Sequence, residues 1–172
     1  TGPSLSTEEV ARLLHKGRLD GATKFWFGGG DPTLRPDLIR IVKAARKLGY
    51  DEVKLQTNGM LLGSSANAEK LKKAGVTSVN LSIKGHTAAL HDGLTQTPGS
   101  FVQLESAARA LLAAGIELEG DVLVYQDNVH ALPDICLHFY DLGIRKFNLW
   151  HLSLFGADEV QKEDLKNRVP MM

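Results

Sequence analysis

Four times along the chain a helical stretch stops at a glycine and an apolar residue opens the next segment. The stops are Leu48-Gly49-Tyr50, Ala74-Gly75-Val76, Ala114-Gly115-Ile116 and Leu142-Gly143-Ile144. Glycine enters the left-handed conformation without a Cβ penalty, so it ends a helix where other residues would strain. Each stop leads into a short apolar run, near residues 52–58, 77–83, 117–125 and 145–152, with one earlier run at 23–28. Strands alternating with helices predict βαβ units and a parallel sheet. The helices carry their own signals. Ser6-Thr7-Glu8-Glu9 is a capping box ahead of Val10, Leu13 and Leu14. Pro36 suits a first helical position before Leu38, Ile41, Val42 and Ala45. Further helices are expected over about Ala66 to Ala74, Phe101 to Ala114 and Pro133 to Leu142.

The strand faces then constrain the architecture. Val79, Leu81 and Ile83 share one face of their strand, and Asn80, Ser82 and Lys84 share the other. Lys54, Gln56 and Asn58 share a face, as do Glu119, Asp121 and Tyr125, and Asn148 and Trp150. In a βα repeat the helices cover the apolar face, so the polar face looks inward. An inner face carrying both charge signs differs from the Val, Ile and Leu layers of a filled eight-stranded barrel. It predicts a wet or ligand-filled cavity. The alternative is an open sheet with one solvated face, which the helical crossovers argue against. Five strands do not close a barrel. The series opens on a helix where a βα series opens on a strand, so a strand and its loop are expected ahead of Thr1. Asn167-Arg168-Val169-Pro170-Met171-Met172 also stops without a natural terminator. The expectation is one partial-barrel domain over residues 1–172, a piece of a longer chain.

Composition closes off several classes. Net charge is zero over 172 residues, which gives no argument for nucleic acid or an anionic membrane. No apolar run approaches the roughly 20 residues of a membrane span. A single cysteine, Cys136, rules out an internal disulfide framework and any all-cysteine metal site built from this chain alone, and fits a reducing, cytoplasmic setting.

Strand Lys24-Phe25-Trp26-Phe27 delivers Gly28-Gly29-Gly30-Asp31 to the carboxyl edge of the sheet, where parallel α/β sheets bind ligands. Bare backbone admits a ligand closely. No Gly-Lys-Ser/Thr follows, and Asp31 would repel phosphate, so a cationic group such as an amine is the better partner. A plain βα turn with Asp31-Pro32 leading into a helix accounts for the same residues. On residue chemistry both stay open.

Gly29-Gly30-Asp31-Pro32-Thr33-Leu34 resembles the "GGEPTL" motif of the radical S-adenosylmethionine superfamily, with Asp in place of Glu. "LQTNG" at Leu55 to Gly59, "VNLSIKG" at Val79 to Gly85 and "HDGLTQTPGSFVQ" at His91 to Gln103 continue the resemblance in the family's order. The resemblance implies an α/β fold, a partial (β/α)6 TIM-like barrel. It also implies an enzyme that binds S-adenosylmethionine at the carboxyl edge. With a reduced [4Fe–4S] cluster the family forms a 5′-deoxyadenosyl radical that abstracts hydrogen from substrate, as in activating and maturation enzymes. Backbone groups of Gly29, Gly30 and Asp31 would take the cofactor's amino group, with Pro32 and Thr33 completing the motif. Ser82 and Lys84 would reach its carboxylate or ribose, with Asn58 near the same pocket. Val122 or Val124 would flank the adenine, and residues 150–152, including His151, would close over it. The substrate class stays open among peptides, proteins and small molecules. The electron donor would be a flavodoxin or ferredoxin.

One departure is large. The family holds its cluster on a Cys-x3-Cys-x2-Cys loop after the first strand, and this sequence contains no such loop. Cys136 cannot replace it, so no metal ligands are expected in this chain and the cluster cysteines are expected upstream. His86 and His91 with Asp92 lack the i, i+4 spacing of helical zinc sites and fall in a predicted loop. The competing functions are a cluster-independent TIM-barrel lyase or isomerase using Lys84 or Lys54, and a non-catalytic binding scaffold.

Overall fold

A computed structural model describes residues 5–151; Leu152 and the C-terminal stretch named above lie outside them. Five strands run parallel in sequential order: β1 (Lys24–Phe27), β2 (Glu52–Thr57), β3 (Ser78–Ile83), β4 (Glu117–Val124) and β5 (Lys146–His151). The helices are α1 (Thr7–Leu19), α2 (Leu38–Lys47), α3 (Ser65–Ala74), α4 (Ala88–Thr95), α5 (Ser100–Ala113) and α6 (Leu132–Leu142). Each crossover advances by one strand in the same direction, the sequence of steps that builds a (β/α) barrel wall. The four glycine stops all have positive φ, from 70° at Gly115 to 118° at Gly143.

Alternation along the strands sorts side chains into two faces. Val53, Leu55, Val79, Leu81, Ile83 and Val122 are fully buried under the helices, against Val42, Ala68, Leu104, Leu111 and Phe139. The other face is polar, as its sequence predicts, but much of it is filled. A ladder of ion pairs crosses its amino-terminal half. Glu52 takes Lys24 at 2.9 Å and Lys54 at 3.6 Å. Lys54 pairs with Glu119 at 2.9 Å, and Lys146 joins Glu119 at 3.7 Å and Glu117 at 2.7 Å. One step further along, the Asp121 carboxylate accepts N–H groups from Asn80 and Asn148, and Asp121 is fully buried.

One element departs from the sequence reading. The stretch carrying His91 and Asp92 is helix α4, not loop, with Thr87 as its N-cap accepting from Leu90 N. Eight residues with Gly93 near the middle and His91 as the buried member present no apolar stripe, so periodicity is silent there.

A cleft at the carboxyl edge of the sheet

β1 releases the chain into Gly28-Gly29-Gly30 at the rim. Gly29 has φ of 105°, which its backbone alone explains. Gly30 has no such need, and a Cβ built there meets no protein atom within 4 Å. Packing does not keep Gly30 bare; the open space beside it is a cleft. Its outer lobe, about 200 Å³, is lined by Gly29, Gly30, Asp31, Gln56, Thr57, Asn58 and Ser82. An inner lobe of about 160 Å³ continues past Asn58 and Ser82 to Met60, Lys84, His91, Thr95, Thr97 and Ser100. The two lobes share Asn58 and Ser82 as lining residues, so they adjoin. Together they enter the range of about 300–1,000 Å³ usual for small-ligand pockets.

The Asp31 carboxylate does not stand free in this cleft. Oδ1 accepts Thr33 N at 2.9 Å and Thr33 Oγ1 at 2.6 Å. Oδ2 accepts Thr57 Oγ1 at 2.7 Å and Asn58 N at 3.0 Å. Four donors saturate it, so the carboxylate is not free for the ligand amine that the sequence leads one to expect there. What the rim presents is backbone.

Lys84 is the opposite case. It is half-buried, and no carboxylate lies within ion-pair distance of it among the described residues. Burial alone pushes its pKa down. Its Nζ lies 6.0 Å from the centre of the Tyr125 ring. The Lys84 backbone N–H donates to His91 Nδ1 at 3.3 Å. Burial drives His91 to a pKa of about 4, with Lys84 lowering it further and Asp92 opposing. The neutral ring therefore carries its proton on Nε2. Asp92 turns away to hold the start of α5, accepting Gly99 N, Ser100 Oγ and Phe101 N. The described residues contain no group of three His, Cys, Asp or Glu able to hold a metal.

Of the residues singled out from sequence, Gly29, Gly30, Asp31, Asn58, Ser82 and Lys84 meet in this cleft. Pro32 and Thr33 form the short turn behind the rim, where Thr33 serves Asp31. Val122 and Val124 are buried on the face opposite Asp121, so the residue of β4 on the polar face there is Leu123. His151 ends β5, pairs in register with Val124 and lines neither lobe. Gln56 and Thr57 line the outer lobe, and Thr95, Thr97 and Ser100 the inner one. The last three sit on the α4–α5 corner, where the sequence predicts loop.

Against known proteins, the profile described as "Radical SAM superfamily" matches residues 1–137. An AdoMet-dependent heme synthase of Oleidesulfovibrio alaskensis is 35% identical over 87% of this chain and 37% of its own length. A PqqA peptide cyclase of Gluconobacter oxydans is 29% identical over 94% of this chain and 44% of its own. The chain thus spans less than half of these curated relatives. Among solved structures, "Native anSMEcpe with bound AdoMet and Cp18Cys peptide" superposes with a TM-score of 0.74 at 20% identity, covering 92% of this chain and 47% of that one. Streptococcus suis SuiB bound to precursor peptide SuiA gives 0.73 at 16%, covering 86% and 33%. A profile match over most of the chain, on a parallel half-barrel with its cleft at the carboxyl edge, makes this chain a member of the radical SAM superfamily.

Proposed function

We propose that the cleft binds S-adenosylmethionine and that the chain is the cofactor-binding part of a radical SAM enzyme. The observation that carries this is the polarity of two adjoining lobes. Bare glycine backbone lines the outer one, and the inner one is lined by the half-buried Lys84 ammonium, which has no carboxylate partner among the described residues. An α-amino acid head group presents an amine and a carboxylate, the complement of those two lobes. In this reading the backbone carbonyls of Gly29, Gly30 and Asp31 take the amine, and Lys84 with Ser82 takes the carboxylate or a ribose hydroxyl. Asn58 lines both lobes and holds its own loop by accepting Met60 N. Leu123 offers the apolar edge. Reduced through a [4Fe–4S] cluster, the bound cofactor supplies the hydrogen-abstracting radical of this family. The residues of this chain do not fit that cluster: its sole cysteine, Cys136, lies in α6. We therefore assign the cluster to residues outside this sequence. The relatives' names span a peptide cyclase and a heme synthase, so the shared part is the cofactor site rather than the substrate site.

Equilibrium binding of S-adenosylmethionine to the full-length protein tests the assignment. Gly30→Val should raise Kd at least about 30-fold without lowering the melting temperature, because its side chain enters the ligand path and meets no protein atom. Unchanged affinity would refute the placement of the pocket. A lysine-dependent lyase is the second reading, supported by the lowered pKa of Lys84. Trapping of a carbonyl substrate on Lys84 by borohydride would favour it.

A further inference from the structure

The two loops that frame the outer lobe come from different strands. One follows β1 and carries Gly29 and Gly30; the other follows β2 and carries Asn58. The strands are paired in register up to Phe27 and Leu55, and beyond that pairing the loops run over residues 28–37 and 58–64. Among the described residues, the Asp31 side chain hydrogen-bonds to both sides. The Asp31 carboxylate accepts Thr33 N and Oγ1 on its own loop, and Thr57 Oγ1 and Asn58 N on the neighbouring one. Thr57 Oγ1 in turn accepts Gly59 N at 3.1 Å, which extends the tie into the second loop. Thr57 is 2% exposed, so its hydroxyl is committed to this tie.

We infer that the Asp31 side chain is a positioning group: its carboxylate clamps the β1 and β2 loops in register and thereby aims the Gly29–Asp31 backbone and Asn58 at one ligand, while the carboxylate itself does not touch that ligand. The inference rests on the proposed S-adenosylmethionine site and adds how that site is held. The neutral isostere exposes the clamp. In Asp31→Asn the amide carries one oxygen where two are needed. Whichever way it turns, its NH2 faces the N–H of Thr33 or of Asn58, and one backbone donor loses its acceptor. Thr57→Val removes a clamp bond and leaves the charge of Asp31 in place.

The test measures S-adenosylmethionine affinity of the full-length protein, with amide hydrogen exchange of the ligand-free form. Asp31→Asn and Thr57→Val should each weaken binding about tenfold, in keeping with the loss of a hydrogen bond to a charged group. The double variant should lie within about threefold of Asp31→Asn, because both changes break one device. Thr57→Ser, which keeps the hydroxyl, should recover affinity to within about threefold of wild type, and it serves if Thr57→Val fails to fold. Wild-type affinity in Thr57→Val beside a tenfold loss in Asp31→Asn would overturn the clamp, since the carboxylate would then be contacting the ligand. Multiplying losses in the double variant would overturn it as well. If the wild type binds no S-adenosylmethionine, the proposed function fails and exchange alone decides the clamp. Faster exchange at Asn58 in both variants supports the clamp, and unchanged exchange sinks it.

Discussion

Single residues in the cleft divide by whether the protein already uses them. Asp31, Thr57 and Asp92 spend their side-chain oxygens on neighbouring backbone N–H groups and hydroxyls, whereas no packing contact holds Gly30 bare and Lys84, near the Tyr125 ring, has no carboxylate partner among the described residues. His91, whose Nδ1 accepts Lys84 N, has a measurable consequence. Burial holds its pKa at about 4 against an ordinary 6.5, so the folded state disfavours the charged ring. A group with a depressed folded pKa stabilises the fold above its unfolded pKa, and the contribution is lost as pH falls toward the folded value. Unfolding free energy should therefore drop by about 3 kcal/mol as pH falls from 6.5 to 4. Denaturant titrations at several pH values check it; His91→Gln should flatten that part of the profile, and an equally steep profile in the variant would assign the loss to other groups. The glycines were legible in the sequence because bare backbone after a strand is visible as letters. The Asp31 clamp was not, since its partners Thr57 and Asn58 lie on another strand and only register brings them near.

At the scale of elements, the glycine stops and the strands they introduce were readable because each is a local signal. Helix α4 was not, being short and organised around a buried histidine instead of an apolar stripe. Val122 and Val124 teach a different lesson. Strict alternation already assigns Asp121 to the polar face and leaves both valines on the other, while the family resemblance set them beside the adenine. The geometry follows the alternation. The polar face also shows why charged strands are tolerated here. Glu119 is pushed up by burial, but the hydrogen bond and charge of Lys54 more than offset this and leave its pKa lowered. Lys54→Met would leave Glu119 under its partial burial with the exposed Lys146 at 3.7 Å and a hydrogen bond from Asn148. It should cost about 1–3 kcal/mol of stability, below the full penalty for breaking a wholly buried pair. Chemical denaturation measures this, and Lys54→Met with Glu119→Leu should recover part of the loss. No recovery would mean that the ladder acts independently of this pair.

For the whole molecule, sequential parallel strands place every βα loop on one side, and the ion ladder with the Asp121 network fills the other half of the inner face. The cleft lies at the carboxyl edge of that face, beyond the ladder and the Asp121 network. The fold class could be read from the grammar of helices and strands, and the family from ordered motifs; the substrate could be read from neither, since this stretch carries the part that relatives of different names share. In the proposed site the cleft binds S-adenosylmethionine in one direction, amine at Gly29–Gly30 and carboxylate at Lys84. The direct measurement is the affinity of full-length wild type and Lys84→Met for S-adenosylmethionine and for its decarboxylated form. Wild type should prefer the intact cofactor by at least about tenfold, the scale of one charge-assisted hydrogen bond, and Lys84→Met should bring the two ligands to near equal affinity. Equal affinity in the wild type, or a preference that survives Lys84→Met, would contradict the account.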